Sequence, residues 1–207
     1  PSPPYNYKAP FSPIDVIEEY TRPARIMINA KVEVKPALSD IEELYIDDVG
    51  KLEAFNTDGL RSLLITMPHI PNMKEKTLRY PGHASLIQSM IDKNLFDENN
   101  FEQTVAELLS EWKLESNVSE FTVLDINIYG DEKEIHYHLY DEMDIFSNSS
   151  SMARTTGFTA TATINMLLNN LWSEKGVFPP EIIGSNDSCI NFLFEYLSSR
   201  NVKIIQS

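Results

Sequence analysis

The stretch MKEKTLRYPGH, residues 73–83, has the pattern of a strand that runs directly into a helix. Charged and bulky side chains alternate as far as Tyr80, a Pro-Gly pair ends the alternation, and apolar side chains then recur at helical spacing. The first turn of such a helix leaves backbone N–H groups unpaired, and the planar guanidinium of Arg79 can hold a carboxylate through two parallel hydrogen bonds. The joint is therefore a candidate anion site at Arg79 and Tyr80. An internal ion pair of Arg79 is the structural alternative.

The segments on either side of this joint show the same strand and helix periodicities. The predicted strands are ARIMINAKVEV, GKLEAFN, KEKTLRY, two long runs of a hairpin around Gly130-Asp131, and VKII. The predicted helices are Pro13 to near Thr21 after a Ser12 cap, DGLRSLLITM, HASLIQSMID, NNFEQTVAELLSEW with Asn100 and Gln103 as a capping pair, residues 152–172, and residues 187–199. This order predicts the α+β class, with a mixed β-sheet and packed helices.

The acidic side chains are concentrated in one part of the chain. The formal net charge is -14, which disfavours nucleic acid and anionic membranes as partners. Residues 92–144 hold fifteen acidic and three basic side chains, whereas residues 1–80 hold twelve acidic and ten basic ones. A small anion is therefore expected to bind more favourably to residues 1–80 than to the acidic residues 92–144.

Several common catalytic motifs are missing from the sequence. It contains no G-x-G-x-x-G, no G-x-x-x-x-G-K-[ST] and no G-x-S-x-G, so the usual nucleotide cradles and the hydrolase elbow are not present. The one cysteine, Cys189, lies in a core-like helix pattern, which favours a buried thiol over a nucleophile. A single cysteine also excludes an internal disulfide framework and suits a reducing compartment, so we expect a cytoplasmic protein.

A second candidate anion site lies in SMARTTGF, where Arg154, Thr155 and Thr156 meet the start of a predicted helix. Gly157 would allow a ligand to approach the backbone there, and simple helix capping by the threonines is the structural alternative. Two such sites point to a doubly anionic small molecule as ligand. His136 and His138 lie two residues apart on one strand face, but no third metal ligand is marked, so a solvated strand face is favoured over a metal site.

Five segments, in order, resemble the C-terminal region of the saccharopine dehydrogenase family: EEYTRPARI, GKLEAFNTDGLRSLL, NMKEKTLRYPGHASLI, YHLYDEMD and SMARTTGFTATA. The bacterial branch, which includes saccharopine dehydrogenase (glutamate-forming) and lysine 6-dehydrogenase, looks closest. The resemblance implies an NAD(P)-dependent oxidoreductase acting on a C–N bond. It also implies a substrate-binding and dimerisation domain similar to the C-terminal domain of glyceraldehyde-3-phosphate dehydrogenase.

The same resemblance implies a domain organisation. Residues 1–12 would be a linker from an N-terminal NAD(P)-binding Rossmann domain, and residues 13–207 would form the substrate-binding domain. The helices from about residue 152 would pack back on the Rossmann domain. The catalytic residues are unknown, because the groups that transfer protons in this family are expected in or near the upstream domain.

Substrate-binding residues can be carried over only where the motifs match. The family's arginine at the end of TLRY falls on Arg79, and its threonine before the glycine of the last motif falls on Thr155, with Thr156 adjacent. Its substrate arginine in the first helix falls on Thr21, with Arg22 beside it, which is a departure from the family pattern. Asn56 in EAFNTDG could line the same cleft or serve only the turn.

Three functions remain open on the sequence. The first is saccharopine dehydrogenase (glutamate-forming) in lysine metabolism, for which the substrate's three carboxylates suit arginine forks and helix starts. The second is lysine 6-dehydrogenase, whose substrate has one carboxylate. The third is a non-catalytic dimerisation or ligand-sensing module with the same fold. We also expect a homodimer, because the alternating apolar faces of TVLDINIY exceed what one small core needs.

Overall fold

The computed structural model describes residues 3–9, 12–115 and 118–207. They fall into two compact units, unit 1 (Pro1–Leu114) and unit 2 (Glu115–Ser207). The predicted α+β class is confirmed, but the strands belong to three small antiparallel sheets and not to one mixed sheet. Within the described ranges, no helix has both the length and the apolar character that crossing a bilayer requires.

The described residues of unit 1 contain the predicted strand–helix joint, three further helices and two small sheets. Its elements are α1 (Pro13–Thr21), β1 (Ala24–Ile28), β2 (Lys31–Lys35), β3 (Glu42–Ile46), β4 (Gly50–Asn56), α2 (Leu63–Thr66), β5 (Lys76–Arg79), α3 (His83–Asp92) and α4 (Phe101–Trp112). Strands β1 and β2 form one hairpin, and β3, β4 and β5 form a second sheet in that order. Because β4 is the central strand, its residue Glu53 lies opposite Glu43 on one side and Arg79 on the other.

The core of unit 1 forms where three helices meet strand β4. Its fully buried large side chains include Tyr20 of α1, Phe55 of β4, Ile87 of α3, and Leu108 and Trp112 of α4. The buried residues of each helix recur at helical spacing, as Leu108 and Trp112 do on α4, which is why the amphipathic pattern of the sequence identified all three helices. The core therefore fixes α1 and α3 next to the central strand.

Unit 2 consists of a long hairpin that is covered by helices. Its elements are β6 (Phe121–Tyr129), β7 (Glu134–Glu142), α5 (Ser151–Leu168), α6 (Pro180–Gly184), α7 (Asp187–Ser198) and β8 (Ile204–Gln206). The sheet order is β6-β7-β8, so β7 is paired on both edges. Leu139, Leu197 and Val202 form its buried cluster. The hairpin around Gly130-Asp131, predicted from two alternating runs, is confirmed.

Some local predictions were wrong. ARIMINAKVEV is not one strand but two, because Asn29 and Ala30 adopt left-handed backbone angles and turn the chain between β1 and β2. Neither Ser12 nor Asn100 makes a side-chain cap, and the amide of Gln103 donates to Glu107 one turn further along. Strand β3 and helix α6 were missed, since neither carries a clear periodic pattern.

Candidate functional site

Strand β5 runs into helix α3 as predicted, but the backbone N–H groups at the start of α3 already donate to a side chain of the protein. Gly82 adopts a φ of 95°, a left-handed conformation that favours glycine and turns the strand into the helix. The buried carboxylate of Glu53 accepts hydrogen bonds from the backbone N–H of Gly82 (3.0 Å) and of Ala84 (2.5 Å). The amides expected to receive a ligand anion are thus satisfied by a side chain of the central strand.

Arg79 lies at the end of β5 with its guanidinium held on several sides. Its Nε donates to the Tyr20 hydroxyl (3.0 Å), Nη1 donates to the Leu78 carbonyl (2.9 Å), and Nη2 pairs with Glu19 (3.2 Å). The guanidinium carbon also lies 4.4 Å from the ring centre of Tyr7. The side chain is 15% exposed, so the guanidinium is mostly buried but reachable at one edge. The ion pair that was the structural alternative is therefore formed, with Glu19.

A buried hydrogen-bonded chain continues from Arg79 into the core. The hydroxyl of Tyr20 lies 2.9 Å from Nε2 of His83, and Nδ1 of His83 lies 2.8 Å from the carbonyl of Tyr5. A carbonyl only accepts, so Nδ1 carries the proton, Nε2 accepts from the tyrosine hydroxyl, and the tyrosine oxygen accepts from Arg79. Burial lowers the pKa of His83 to about 4, and the charge of Arg79 contributes to this. His83 is therefore neutral at pH 7.

The carboxylate of Glu19 is influenced by the charges of three arginines, of which Arg79 is in direct contact. Burial raises the pKa of Glu19 and outweighs the guanidinium of Arg79, which lowers it. The charge of Glu75 raises this pKa further, whereas Arg22 and Arg61 act with Arg79 to lower it. Three guanidiniums thus lie within electrostatic range of one partly buried carboxylate. The sequence analysis did not identify Arg61 as a site residue. No sequence pattern connects this single arginine, which follows a turn, with Glu19 on helix α1.

Arg22 is more weakly held than Arg79. It follows α1 directly, its side chain is 40% exposed, and its ion pair with Glu18 is long, at 3.6 Å. Its Nε is buried without a hydrogen-bond partner among the described residues. Thr21, the position that aligns with the family's arginine, is exposed and donates its hydroxyl hydrogen to the Ile17 carbonyl (3.0 Å).

Two further predicted residues of unit 1 make hydrogen bonds within that unit. Tyr80 is half-buried, and its backbone carbonyl accepts a hydrogen bond from the His83 N–H (3.2 Å). Asn56 is buried at the end of β4, where its amide donates to Ser39 (3.1 Å) and Asp40 (2.8 Å). Asn56 therefore anchors the loop before β3, which is a different role from the turn with Gly59 that the sequence offered as the alternative.

Arg154 of unit 2 is locked in a buried ion pair. Its Nη2 lies 3.1 Å from Asp141, a residue whose side chain is only 3% exposed, and Nε lies 3.2 Å from the second carboxylate oxygen. Nη2 also donates to the carbonyl of Arg200 (3.2 Å). This pair connects α5 to β7, so Arg154 lies in the interior of unit 2.

The start of α5 is capped by residues other than the predicted threonines. The Ser150 hydroxyl accepts a hydrogen bond from the Ala153 N–H (3.1 Å), and the carboxylate of Glu120 accepts one from the Ser151 N–H. Thr155 donates to the Ser151 carbonyl (2.9 Å) within the helix. Thr156 is exposed and lies 3.7 Å from the Met152 sulfur. The helix start that was expected to hold an anion is thus also satisfied internally.

The two histidines of β7 acquire a third neighbour from the opposite strand. His136 and His138 both contact Oδ1 of Asp125, at 2.7 Å and 3.0 Å. The sequence marked no third group near them, because Asp125 lies on the other arm of the hairpin. Burial raises the pKa of Asp125, but the hydrogen bonds from the two imidazoles more than offset this and leave the pKa below its usual range.

The fold places this chain in the α+β class, and comparison with known proteins identifies the family to which it belongs. The sequence matches the saccharopine dehydrogenase C-terminal domain over residues 1–202, and the chain belongs to that family. Its structure is also similar to the apo form of histidine-tagged saccharopine dehydrogenase (L-Glu forming) from Saccharomyces cerevisiae, with a TM-score of 0.73 at 14% sequence identity. The match covers 100% of this chain and 64% of the yeast chain.

The described residues do not fit the dinucleotide cofactor that the family implies. A dinucleotide pyrophosphate needs a glycine-rich turn between a strand and a helix with free backbone N–H groups. The β5–α3 joint has the strand, the glycine and the helix, but Glu53 places a carboxylate on the N–H groups of Gly82 and Ala84. A phosphate would be repelled there, so no step of a reaction is assigned to a cofactor held by this chain.

Proposed function

We propose that this chain is the substrate-binding region of an NAD(P)-dependent oxidoreductase that acts on a C–N bond. The first candidate is saccharopine dehydrogenase (glutamate-forming) in lysine metabolism. The observation that carries the proposal is the family match over residues 1–202. Because the chain spans 64% of the yeast enzyme to which it is similar, the proposal places the NAD(P) site in a further domain.

The arginine cluster around Glu19 supports a substrate with several carboxylates. Arg79 is anchored by Tyr20 and by a backbone carbonyl, so its planar group keeps its orientation when its ion-pair partner changes. Burial makes the ionised form of Glu19 more costly than in water. A substrate carboxylate can therefore take the place of Glu19 on Nη2 of Arg79. Arg22 and Arg61 would meet the remaining negative charge.

The cluster favours saccharopine over lysine. Saccharopine carries three carboxylates against two positive amines and can use more than one guanidinium, whereas free lysine carries one carboxylate against two positive amines and has a net positive charge that these arginines repel. Lysine 6-dehydrogenase is therefore the second candidate within the enzyme class. Arg154 does not contribute to the choice, because its partner Asp141 is buried with it.

A specific observation favours a second class of function. Arg79 pairs with Glu19, Arg154 pairs with Asp141, and Glu53 fills the start of α3. A module that kept the fold only for dimerisation would have no reason to leave these groups open, whereas a ligand-sensing module would need its ligand to displace an internal partner such as Glu19. The alternative is therefore a non-catalytic dimerisation or ligand-sensing module.

Two assays, cofactor reduction and calorimetric binding, together separate the three functions. The complete protein that carries this chain is supplied with NAD or NADP and with saccharopine or lysine, and cofactor reduction is followed. Turnover of saccharopine supports the first candidate, and turnover of lysine alone supports the second. Saccharopine binding measured by calorimetry without turnover of either compound supports the ligand-sensing module. If saccharopine neither binds nor reacts, the substrate proposal is wrong.

We also propose a homodimer. Leu124, Ile126 and Ile128 alternate along β6 and remain 45%, 42% and 47% exposed within the chain. A row of half-exposed apolar side chains on one strand face is a typical surface for a second copy. Light scattering at micromolar concentration should give twice the mass of the protein, and a monomeric mass would contradict the proposal.

A further inference from the structure

Asp125, His136 and His138 form a compact group of potential metal ligands on the β6–β7 hairpin. Asp125 lies directly opposite His138 in the strand register, and His136 is two residues along the same face. One ligand atom from each residue lies within 4.8 Å of the other two. No other group of three such side chains was found within the described ranges.

We propose that Asp125, His136 and His138 bind a divalent transition-metal ion of the Zn²⁺ class. Two imidazole nitrogens and one carboxylate oxygen are a donor set that suits zinc and its neighbours, whereas Mg²⁺ and Ca²⁺ prefer oxygen alone. Three protein ligands leave one position of a tetrahedral ion for water or an exogenous ligand.

The side chains need only small movements to hold the ion. Zinc bonds of about 2.0–2.1 Å in a tetrahedron separate the ligand atoms by about 3.4 Å. The present separations are 2.7 Å from His136 Nε2 to Asp125 Oδ1 and 3.0 Å from His138 Nδ1 to the same oxygen. The ion would replace the two N–H hydrogens that now point at Asp125. Each neutral imidazole would carry its proton on the other ring nitrogen.

The scaffold and the local charge favour the same ligand. Strand β7 is paired on one edge by β6 and on the other by β8, and the backbone of His136 exchanges two hydrogen bonds of 3.0 Å with Ser207. Ligands on such a fixed strand need little reorganisation. The hairpin residues 121–142 include six acidic side chains and one lysine, so the surrounding field attracts a cation. The His136 side chain is 42% exposed, which gives the ion access from solvent.

The test uses the untagged 207-residue chain after dialysis against a chelator, titrated with Zn²⁺ by calorimetry. We expect one saturable equivalent of Zn²⁺. Loss of a direct ligand, in His136→Ala or Asp125→Asn, should weaken binding at least as much as loss of a supporting group, which costs about 10–100-fold. His69→Ala removes an exposed histidine outside the group and should leave the affinity unchanged.

A spectroscopic readout keeps the proposal testable if a variant folds poorly. Co²⁺ added to the parent chain should give visible absorption bands typical of tetrahedral coordination, and stoichiometric Zn²⁺ should remove them. Circular dichroism of each variant shows whether the hairpin variants remain folded. The proposal is overturned if the parent chain shows no saturable binding of Zn²⁺ or Co²⁺. It is overturned equally if folded His136→Ala and Asp125→Asn bind Zn²⁺ as tightly as the parent. The outcome does not depend on the substrate proposal.

Discussion

Replacing Glu53 by alanine removes the acceptor that holds the start of α3. In the parent chain this buried carboxylate accepts hydrogen bonds from the N–H groups of Gly82 and Ala84. Truncation leaves both N–H groups without their acceptor at the positive end of the helix dipole. Because α3 contributes Ile87 to the core of unit 1, we expect the substitution to lower the free energy of unfolding of the whole unit.

The expected magnitude follows from the two bonds. A hydrogen bond to a charged group contributes about 1.5–3 kcal/mol, so the loss of both bonds in Glu53→Ala should lower the free energy of unfolding of unit 1 by about 3–6 kcal/mol. Glu53→Gln keeps one oxygen acceptor but loses the charge, so its cost should be about 1.5–2 kcal/mol. With a urea slope of about 2 kcal/mol/M, Glu53→Ala should lower the urea midpoint of unfolding by about 1.5–3 M.

Tryptophan fluorescence can follow unit 1 alone. The chain has two tryptophans, Trp112 in the buried core of unit 1 and Trp172 in unit 2, so Trp172→Phe leaves a reporter for unit 1. Urea unfolding at pH 7 is then compared between the parent and the Glu53 variants. Glu43→Ala is the matched control, because Glu43 lies directly opposite Glu53 but makes an exposed ion pair with Lys51. Such a pair contributes at most about 1 kcal/mol.

Two results would refute the reasoning. One is a Glu53→Ala midpoint that coincides with that of Glu43→Ala, since the carboxylate would then not support the helix. The other is an equal loss in Glu53→Gln and Glu53→Ala, which would assign the effect to the charge and not to the number of accepted hydrogen bonds. The expected order is parent, then glutamine, then alanine, with clear steps between them.

Three further outcomes follow from the same contacts. Unfolded His83 binds a proton below about pH 6.5 and the folded form only near pH 4, so stability should fall as the pH drops through this window, by about 3 kcal/mol in total. His83→Gln should flatten this part of the stability profile, and an unchanged slope would contradict the assignment. On the proposed function, Arg79→Lys in the complete protein that carries this chain should raise the saccharopine KM about 10–100-fold with cofactor KM unchanged, because a charged hydrogen bond is lost. Lys51→Ala serves as its control, and equal saccharopine KM values for Arg79→Lys and the parent would remove Arg79 from the site. Arg154→Ala should destabilise unit 2 by about 3–5 kcal/mol, since Asp141 is left buried and unpaired, and Arg154→Ala with Asp141→Ala should be less destabilised than Arg154→Ala alone. Urea unfolding followed through Trp172 in a Trp112→Phe background measures both variants, and equal midpoints for the single and double variants would contradict the pairing.

The order of the main helices and strands could be predicted because it depends on neighbours in the sequence. The alternating and helical spacings located β4, β5, α3 and α4, and the Pro-Gly pair located the joint at Gly82. These signals arise from backbone preferences and from one buried face per element. The predictions failed where a local preference competed with a contact elsewhere, as for the capping pair at Asn100.

The partners of the charged groups were decided by the tertiary structure. Glu53 reaches Gly82 across 29 residues of sequence, Arg79 reaches Tyr20 across 59, and Asp125 meets His138 only because of the hairpin register. Sequence patterns identified Arg79 and the two helix starts as able to hold an anion. The patterns could not show that Glu19 already pairs with Arg79, or that Glu53 and Glu120 already accept hydrogen bonds at the two helix starts. The energy of such a contact depends on distance and burial, and strand pairing and core packing set both.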